Sequence, residues 1–212
     1  MSRTEVLRGI LGPLFSASLR LETEGESNVP VQGPCILVFN HLSNLDPPLL
    51  FTRMPRSDAT GLVAASYRSR PFHRWIVEAG GGLWLRRGEG DRATLIAALH
   101  QLDQGWLVGL APEGGRSPTG VMRAGQPGAA FLALRSGAPV VPVGLDGTDR
   151  VLPSLARGQR ATVTIQMGPA FHPHIPQEIT GRRRRLDLAT EQIMAAIARL
   201  VPPWRRGLWG SP

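Results

Sequence analysis

The segment Cys35-Ile36-Leu37-Val38-Phe39-Asn40-His41-Leu42-Ser43-Asn44-Leu45-Asp46-Pro47 decides the reading of this chain. Its first five residues are an apolar, β-favouring run, too short for a helix and bounded by Gly33-Pro34 before it and Asn40 after it, so they read as a buried strand. Asp46 followed by Pro47 reads as a helix N-cap with proline in the first helical position. A buried strand leading through a short polar turn into a helix is the opening of a βαβ unit.

The same pattern continues outward on both sides. Strands are predicted near Leu19–Glu24, Gly61–Ala65, Leu83–Leu85, Trp106–Leu110, Val140–Leu145 and Ala161–Met167. Helices are predicted over Pro71–Ala79, Asp91–Gln104 and Pro127–Ser136, the last two ended by Gly105 and Gly137, and over Leu186–Val201. In the Asp91 helix, Leu95, Ile96, Leu99 and Leu102 form the expected inner face; in the last, Ile193, Ile197 and Leu200 do. Pro142 marks its strand as an edge strand or the site of a bulge. Strands alternating with helices predict a single α/β layered domain, a largely parallel mixed sheet flanked by helices.

Residues 1–21 read as an N-terminal amphipathic helical segment, with Val6, Leu7, Ile10, Leu11, Leu14, Phe15 and Leu19 at mostly helical spacing beside Arg3, Arg8 and Arg20. Gly9, Gly12 and Pro13 are expected to kink or split it. Its apolar stripe suits docking either on a membrane interface or on its own domain. Residues 22–207 form the expected main domain and 208–212 a tail. No apolar run reaches the ~18 residues of a spanning helix, and no signal-peptide layout is evident. Cys35 is the only cysteine, which excludes an intrachain disulfide. The expectation is a protein in the cytosol, or on a membrane without crossing it. All 24 basic residues are arginine, and the net charge is +8. That balance favours anionic partners such as phosphate groups or an acidic membrane surface. The run Arg182–Arg185 reads as a solvated helix start or as a headgroup contact.

Ligands of open parallel sheets gather where the strands end. After Phe39 come Asn40 and His41; after Leu85, Arg86 and Arg87; after Leu110, Ala111-Pro112-Glu113-Gly114-Gly115-Arg116-Ser117. Asp46, five residues beyond His41, can fold back onto the imidazole, fix its tautomer and leave the other ring nitrogen to take a proton from a hydroxyl. Alternatively, His41 is a turn histidine and Asp46 an unrelated cap. Glu113 and Arg116 suit a substrate hydroxyl and a phosphate, with Gly114 and Gly115 letting the backbone come close; a surface turn with a local ion pair is the other reading.

Taken together, these blocks resemble the glycerolipid acyltransferase family, whose best-known members are the lysophosphatidic acid acyltransferases. Asn40-His41 followed by Asp46 matches its first block, and Gly81-Gly82-Leu83-Trp84-Leu85-Arg86-Arg87 resembles its second. Pro112-Glu113-Gly114-Gly115-Arg116-Ser117 resembles its third and Ala138-Pro139-Val140-Val141-Pro142-Val143 its fourth. The resemblance runs from about Leu19 to Gly207. It implies a glycerol-3-phosphate acyltransferase-like fold, with His41 as general base and Asp46 as its partner. Asn40, Arg87, Glu113, Gly114, Gly115, Arg116 and Ser117 would surround the acceptor, Arg87 and Arg116 binding its phosphate. It further implies acyl-CoA or acyl carrier protein as donor, a lysophospholipid such as 1-acylglycerol-3-phosphate as acceptor, and no metal or other cofactor. The expected place is the cytoplasmic face of the cell membrane, held peripherally or monotopically. Ala111 stands where the family usually has phenylalanine, Gly115 where it has threonine, and Gln126-Pro127-Gly128 where a lysine-glycine pair is common. These departures bear on the acceptor, and the family includes enzymes acting on ornithine lipids.

A thioesterase using the same pair on water is a second enzymatic reading. A basic module binding anionic lipid or nucleic acid is a third, but the arginine stretches lack the aromatic interleaving and motifs of nucleic-acid binders, so no nucleic-acid partner is expected. His73, His100, His172 and His174 have no metal-site spacing. Trp204 and Trp209, among Arg205 and Arg206, read as an interfacial anchor or as a tail docked on the domain.

Overall fold

The computed structural model describes residues 3–85 and 92–210. Its sheet contains β1 (Leu19–Glu24), β2 (Cys35–Phe39), β3 (Ala59–Ala64), β4 (Leu83–Leu85), β5 (Leu107–Leu110), β6 (Val140–Asp146) and β7 (Ala161–Met167). They lie in the order β1-β7-β6-β2-β5-β3-β4. All neighbours are parallel except β6 and β7, so β7 and β1 run against the other strands. The predicted mixed, largely parallel α/β domain is what forms.

Helices cover both faces. On one lie α1 (Arg3–Ser18), α2 (Asp46–Arg53) and α3 (Pro71–Ala79); on the other, α4 (Arg92–Asp103), α5 (Gly128–Ser136) and α7 (Arg182–Ala198). The short α6 (Val151–Leu155) follows β6. The covering on both faces explains β2, whose five residues are all buried. In β7, by contrast, Ala161, Val163, Ile165 and Met167 turn inward and the residues between them do not, the period of two that one buried face requires. Leu37, Val143, Val163 and Ile165 build the core under α1 and α2. Ile36, Val108, Leu132 and Ile193 build the core under α5 and α7.

Several expectations are corrected. Of the two readings of Pro142, the edge strand is ruled out, since β6 sits between β2 and β7, and the bulge is what forms. The sheet accepts it because the β6–β7 ladder slips there. Val143 faces Met167 but Val140 faces Phe171, three steps on one side against four on the other. The proline nitrogen thus falls at a bulge, where no ladder bond is required, and its carbonyl accepts the Gly168 N–H. The α1 helix runs unbroken through Pro13. It packs Leu7, Leu11 and Phe15 against its own domain and leaves Val6, Ile10 and Leu14 exposed. In α4, Ile96 is exposed and Ala98 is buried in its place, beside Leu95 and Leu99. The last helix begins at Arg182, so the arginine run forms its first turn, exposed to solvent. Among the described residues no helix is long and apolar enough to cross a membrane.

Candidate active site

The sheet order places the ends of β5 and β6 on either side of the end of β2. Asn40 is the first residue beyond β2 and is fully buried. Its amide donates to the Leu145 carbonyl at 2.9 Å and accepts from the Leu145 N–H at 2.7 Å. A side chain thereby continues the β2–β6 ladder by one rung and fixes where the next residue, His41, leaves the sheet.

His41 is then held by both ends of its backbone. Its N–H donates to Glu113 Oε1 at 3.0 Å, and its carbonyl accepts the Ser117 N–H at 2.8 Å. Glu113 is 3% exposed, and its other oxygen accepts the Arg123 N–H at 2.9 Å. Burial pushes the Glu113 carboxyl above its ordinary range; the hydrogen bonds from the His41 and Arg123 amides oppose this without cancelling it. Glu113 therefore braces the histidine turn, with both oxygens taken up by backbone donors. Ser117 plays a similar part: its hydroxyl donates to the Val121 carbonyl at 2.7 Å.

Asp46 is the first residue of α2, with Leu45 in the cap position one residue earlier. Its carboxylate turns back onto the preceding loop. Oδ2 accepts from the Leu42 N–H at 2.7 Å, from the Ser43 N–H at 2.8 Å and from His41 Nδ1 at 2.8 Å. The two amides preset the carboxylate, and the carboxylate presets the tautomer, leaving a proton on Nδ1 and the lone pair on Nε2. Asp46 is wholly buried, while the His41 side chain keeps 16% of its surface open. An acid-shielded partner behind a partly open imidazole is the arrangement of a general base.

Beside this pair lies an apolar cavity of about 210 Å³ between the sheet and α1, α2 and α3. Leu45 and Pro47 of the histidine turn line it, as do Phe51 and Ile76. So does Phe39, whose ring meets that of His41 edge-on at 6.0 Å between centroids. Its sheet side carries Gly61 and Gly109, where a β-carbon would meet only backbone oxygen at 3.6 Å. Glycine inside a strand often marks room for a ligand; that signal was present in the sequence and unread.

The third block thus divides in two. Glu113 and Ser117 turn inward to His41, and Gly115 is buried; Gly114, in the left-handed region at φ 69°, and Arg116 face solvent. Arg116 makes no hydrogen bond or ion pair within the described residues, so its guanidinium is open to an anion. Arg86 and Arg87 lie outside the described residues; β4, which precedes them, is separated from β2 by β3 and β5. Arg205, read with its neighbours as an interfacial anchor or a docked tail, is buried beside this loop with Asp146 and Asp149. Those partners are more than fifty positions away, and no local pattern announces them. Cys35 is buried in β2 and burial pushes its thiol up to about 12, which makes it an inert core residue. No cluster of metal-ligating side chains occurs among the described residues.

The family model described as Acyltransferase matches residues 20–146, from β1 to β6 and including both halves of the site. A lyso-ornithine lipid O-acyltransferase of Pseudomonas aeruginosa is 33% identical over 170 residues, 71% of this chain and 64% of that protein. A 1-acyl-sn-glycerol-3-phosphate acyltransferase of Borreliella burgdorferi is 26% identical over 138 residues, 64% of this chain and 55% of that protein. The chain therefore spans less than two thirds of the length of either relative. The crystal structure of the 1-acyl-sn-glycerophosphate acyltransferase PlsC from Thermotoga maritima shares the fold, with a TM-score of 0.69 at 22% identity over 93% of this chain and 79% of that one. With its match across most of the sheet and both motif loops, the chain belongs to the acyltransferase family.

Proposed function

We propose that this protein transfers a fatty-acyl group from a thioester donor to the free hydroxyl of a lysophospholipid. The observation that carries this reading is the His41–Asp46 pair, 2.8 Å apart, beside an apolar cavity. The cavity suits the acyl chain. His41 Nε2 takes the acceptor's hydroxyl proton as the oxygen attacks the thioester carbonyl. Asp46 stabilises the resulting imidazolium. The tetrahedral adduct collapses with cleavage of the carbon–sulfur bond, and the imidazolium returns its proton to the departing thiolate. The protein supplies no nucleophile of its own in this scheme and uses no metal or other cofactor. Acyl-CoA or acyl carrier protein is the donor.

The open guanidinium of Arg116 favours a phosphate-bearing acceptor, 1-acylglycerol-3-phosphate, giving phosphatidic acid. The similarity to a lyso-ornithine lipid O-acyltransferase supports a second acceptor, a lyso-ornithine lipid. The exposed stripe Val6, Ile10 and Leu14, with half-exposed Trp75 on α3, suits docking of α1 on the cytoplasmic face of the cell membrane. Changing all three stripe residues to serine is expected to abolish co-flotation with anionic vesicles.

The test is thiol release from palmitoyl-CoA in mixed micelles, with lysophosphatidic acid, with lyso-ornithine lipid, or with neither. Release that requires one acceptor and yields the matching diacyl product supports transfer and names the acceptor. Equal release without acceptor means a thioesterase. No release with any acceptor, from palmitoyl-CoA or acyl carrier protein, overturns the reading.

A further inference from the structure

The C-terminal segment after α7 is packed into the histidine site's supporting loop. Arg205 is 6% exposed and anchors it. Its Nε donates to Asp146 Oδ1 at 2.6 Å, and its two terminal nitrogens grip both oxygens of Asp149 at 2.9 and 3.0 Å. One of them also donates to the Gly120 carbonyl at 3.0 Å, and the Arg205 carbonyl accepts the Met122 N–H at 2.7 Å. Burial works against the guanidinium's charge, but its bonds to Asp149 and Asp146 outweigh that and raise its pKa. Trp209 adds a bond from its indole N–H to the Arg123 carbonyl at 3.1 Å. The packing leaves no slack. A β-carbon on Gly120 would meet Arg205 at 2.4 Å, and one on Gly207 would meet the Met122 carbonyl at 2.5 Å.

Each of these contacts leads to His41 by a short route. Asp146 follows Leu145, whose N–H and carbonyl hold Asn40, the residue before His41. Gly120 and Met122 lie in the loop whose Ser117 N–H holds the His41 carbonyl. The neighbouring Arg123 N–H holds the Glu113 carboxylate that accepts the His41 N–H. One side chain thus ties together the two walls between which the histidine turn is suspended.

We propose that Arg205 is a positioning residue for the His41 base, and that Pro203–Trp209 is an integral part of the active site. The inference rests on the function proposed above in so far as it concerns turnover. A base displaced by a fraction of an ångström loses rate without losing substrate.

The experiment compares Arg205→Gln and Arg205→Lys with the wild type, in steady-state transfer and in proton NMR of the downfield His41 Nδ1–H resonance, assigned by its loss in His41→Gln. Arg205→Gln is expected to lower kcat about 10- to 100-fold with KM unchanged for donor and acceptor, and to broaden the resonance. Arg205→Lys, which keeps the charge but loses the fork, is expected to fall between. Should Arg205→Gln not fold, Trp209→Phe carries the test, with a roughly twofold to fivefold loss in kcat at constant KM. Wild-type kcat and an unchanged resonance in a folded variant overturn the proposal. So does a loss confined to KM, or one proportional to the unfolded fraction. A wild type inactive in transfer refutes the proposed function, while the resonance still decides whether Arg205 positions His41.

Discussion

Replacing Asp46 by asparagine keeps the shape of the site and removes its charge. The Asp46 carboxylate is fully buried behind His41, and one oxygen serves three donors at 2.7 to 2.8 Å. An asparagine oxygen can still accept from the Leu42 and Ser43 amides, so the turn should persist. What disappears is the attraction for an imidazolium. With charge centres roughly 4 Å apart and an effective dielectric constant near 20, that attraction is about 4 kcal/mol. Since each ~1.4 kcal/mol off the barrier is a factor of ten, kcat should fall roughly a thousandfold. KM should stay constant, because the lost interaction exists only once the proton has moved. The stability change should be small. The new amide nitrogen takes the place of Oδ1, which has no partner among the described residues, and a buried unpaired donor costs about 1–3 kcal/mol. Relief from burying a charge offsets this. The assay is acceptor-dependent thiol release at saturating donor and acceptor, with urea unfolding as control. A folded variant with kcat within about threefold of wild type refutes the general-base assignment.

Arg116→Ala should raise KM for a phosphate-bearing acceptor roughly 10- to 100-fold, the worth of a charge-assisted hydrogen bond, and leave the donor's KM alone; unchanged acceptor kinetics would remove Arg116 from the site. Arg56 is buried and donates to both oxygens of Asp58 and to the carbonyls of Pro30, Gly33 and Gly105. Its replacement by alanine should cost about 3 kcal/mol or more in urea unfolding, because it strands the three carbonyls at roughly 1–3 kcal/mol each, while the half-exposed Asp58 can turn to water. Cys35 should resist maleimide at pH 8 in the native protein and react only as the chain unfolds, its thiol being held near 12 by burial; labelling faster than unfolding contradicts this. Glu113 has a folded pKa above its ordinary 4.5, so its contribution to stability is present below the unfolded value and is lost as pH rises through the folded one. The stability of wild type relative to Glu113→Gln should therefore shrink as pH rises from below the ordinary carboxylate range, as read by urea unfolding of both proteins over a pH series.

Local chemistry was enough to determine much of this protein. The apolar run Cys35–Phe39, the alternation in Ala161–Met167 and the glycine stops after α4 and α5 each encode one element within a few residues, because hydrophobic period and backbone freedom act over one turn or one strand. The His41–Asp46 pairing was legible for the same reason: five residues and a helix start suffice to bring them together. Tertiary structure alone decided which motif residues face solvent and which brace the site. Asn40, Glu113 and Ser117 belong to the motifs, yet their side chains or amides hold the backbone, through partners up to 105 positions apart. Pro142 announced an edge or a bulge, and only the folded chain chose the bulge, because it forms against a strand some twenty-five residues later. Arg205 was legible only as part of an anchor or a docked tail: what sets it apart is the burial of its charge beside Asp146 and Asp149, and burial is a property of the folded chain.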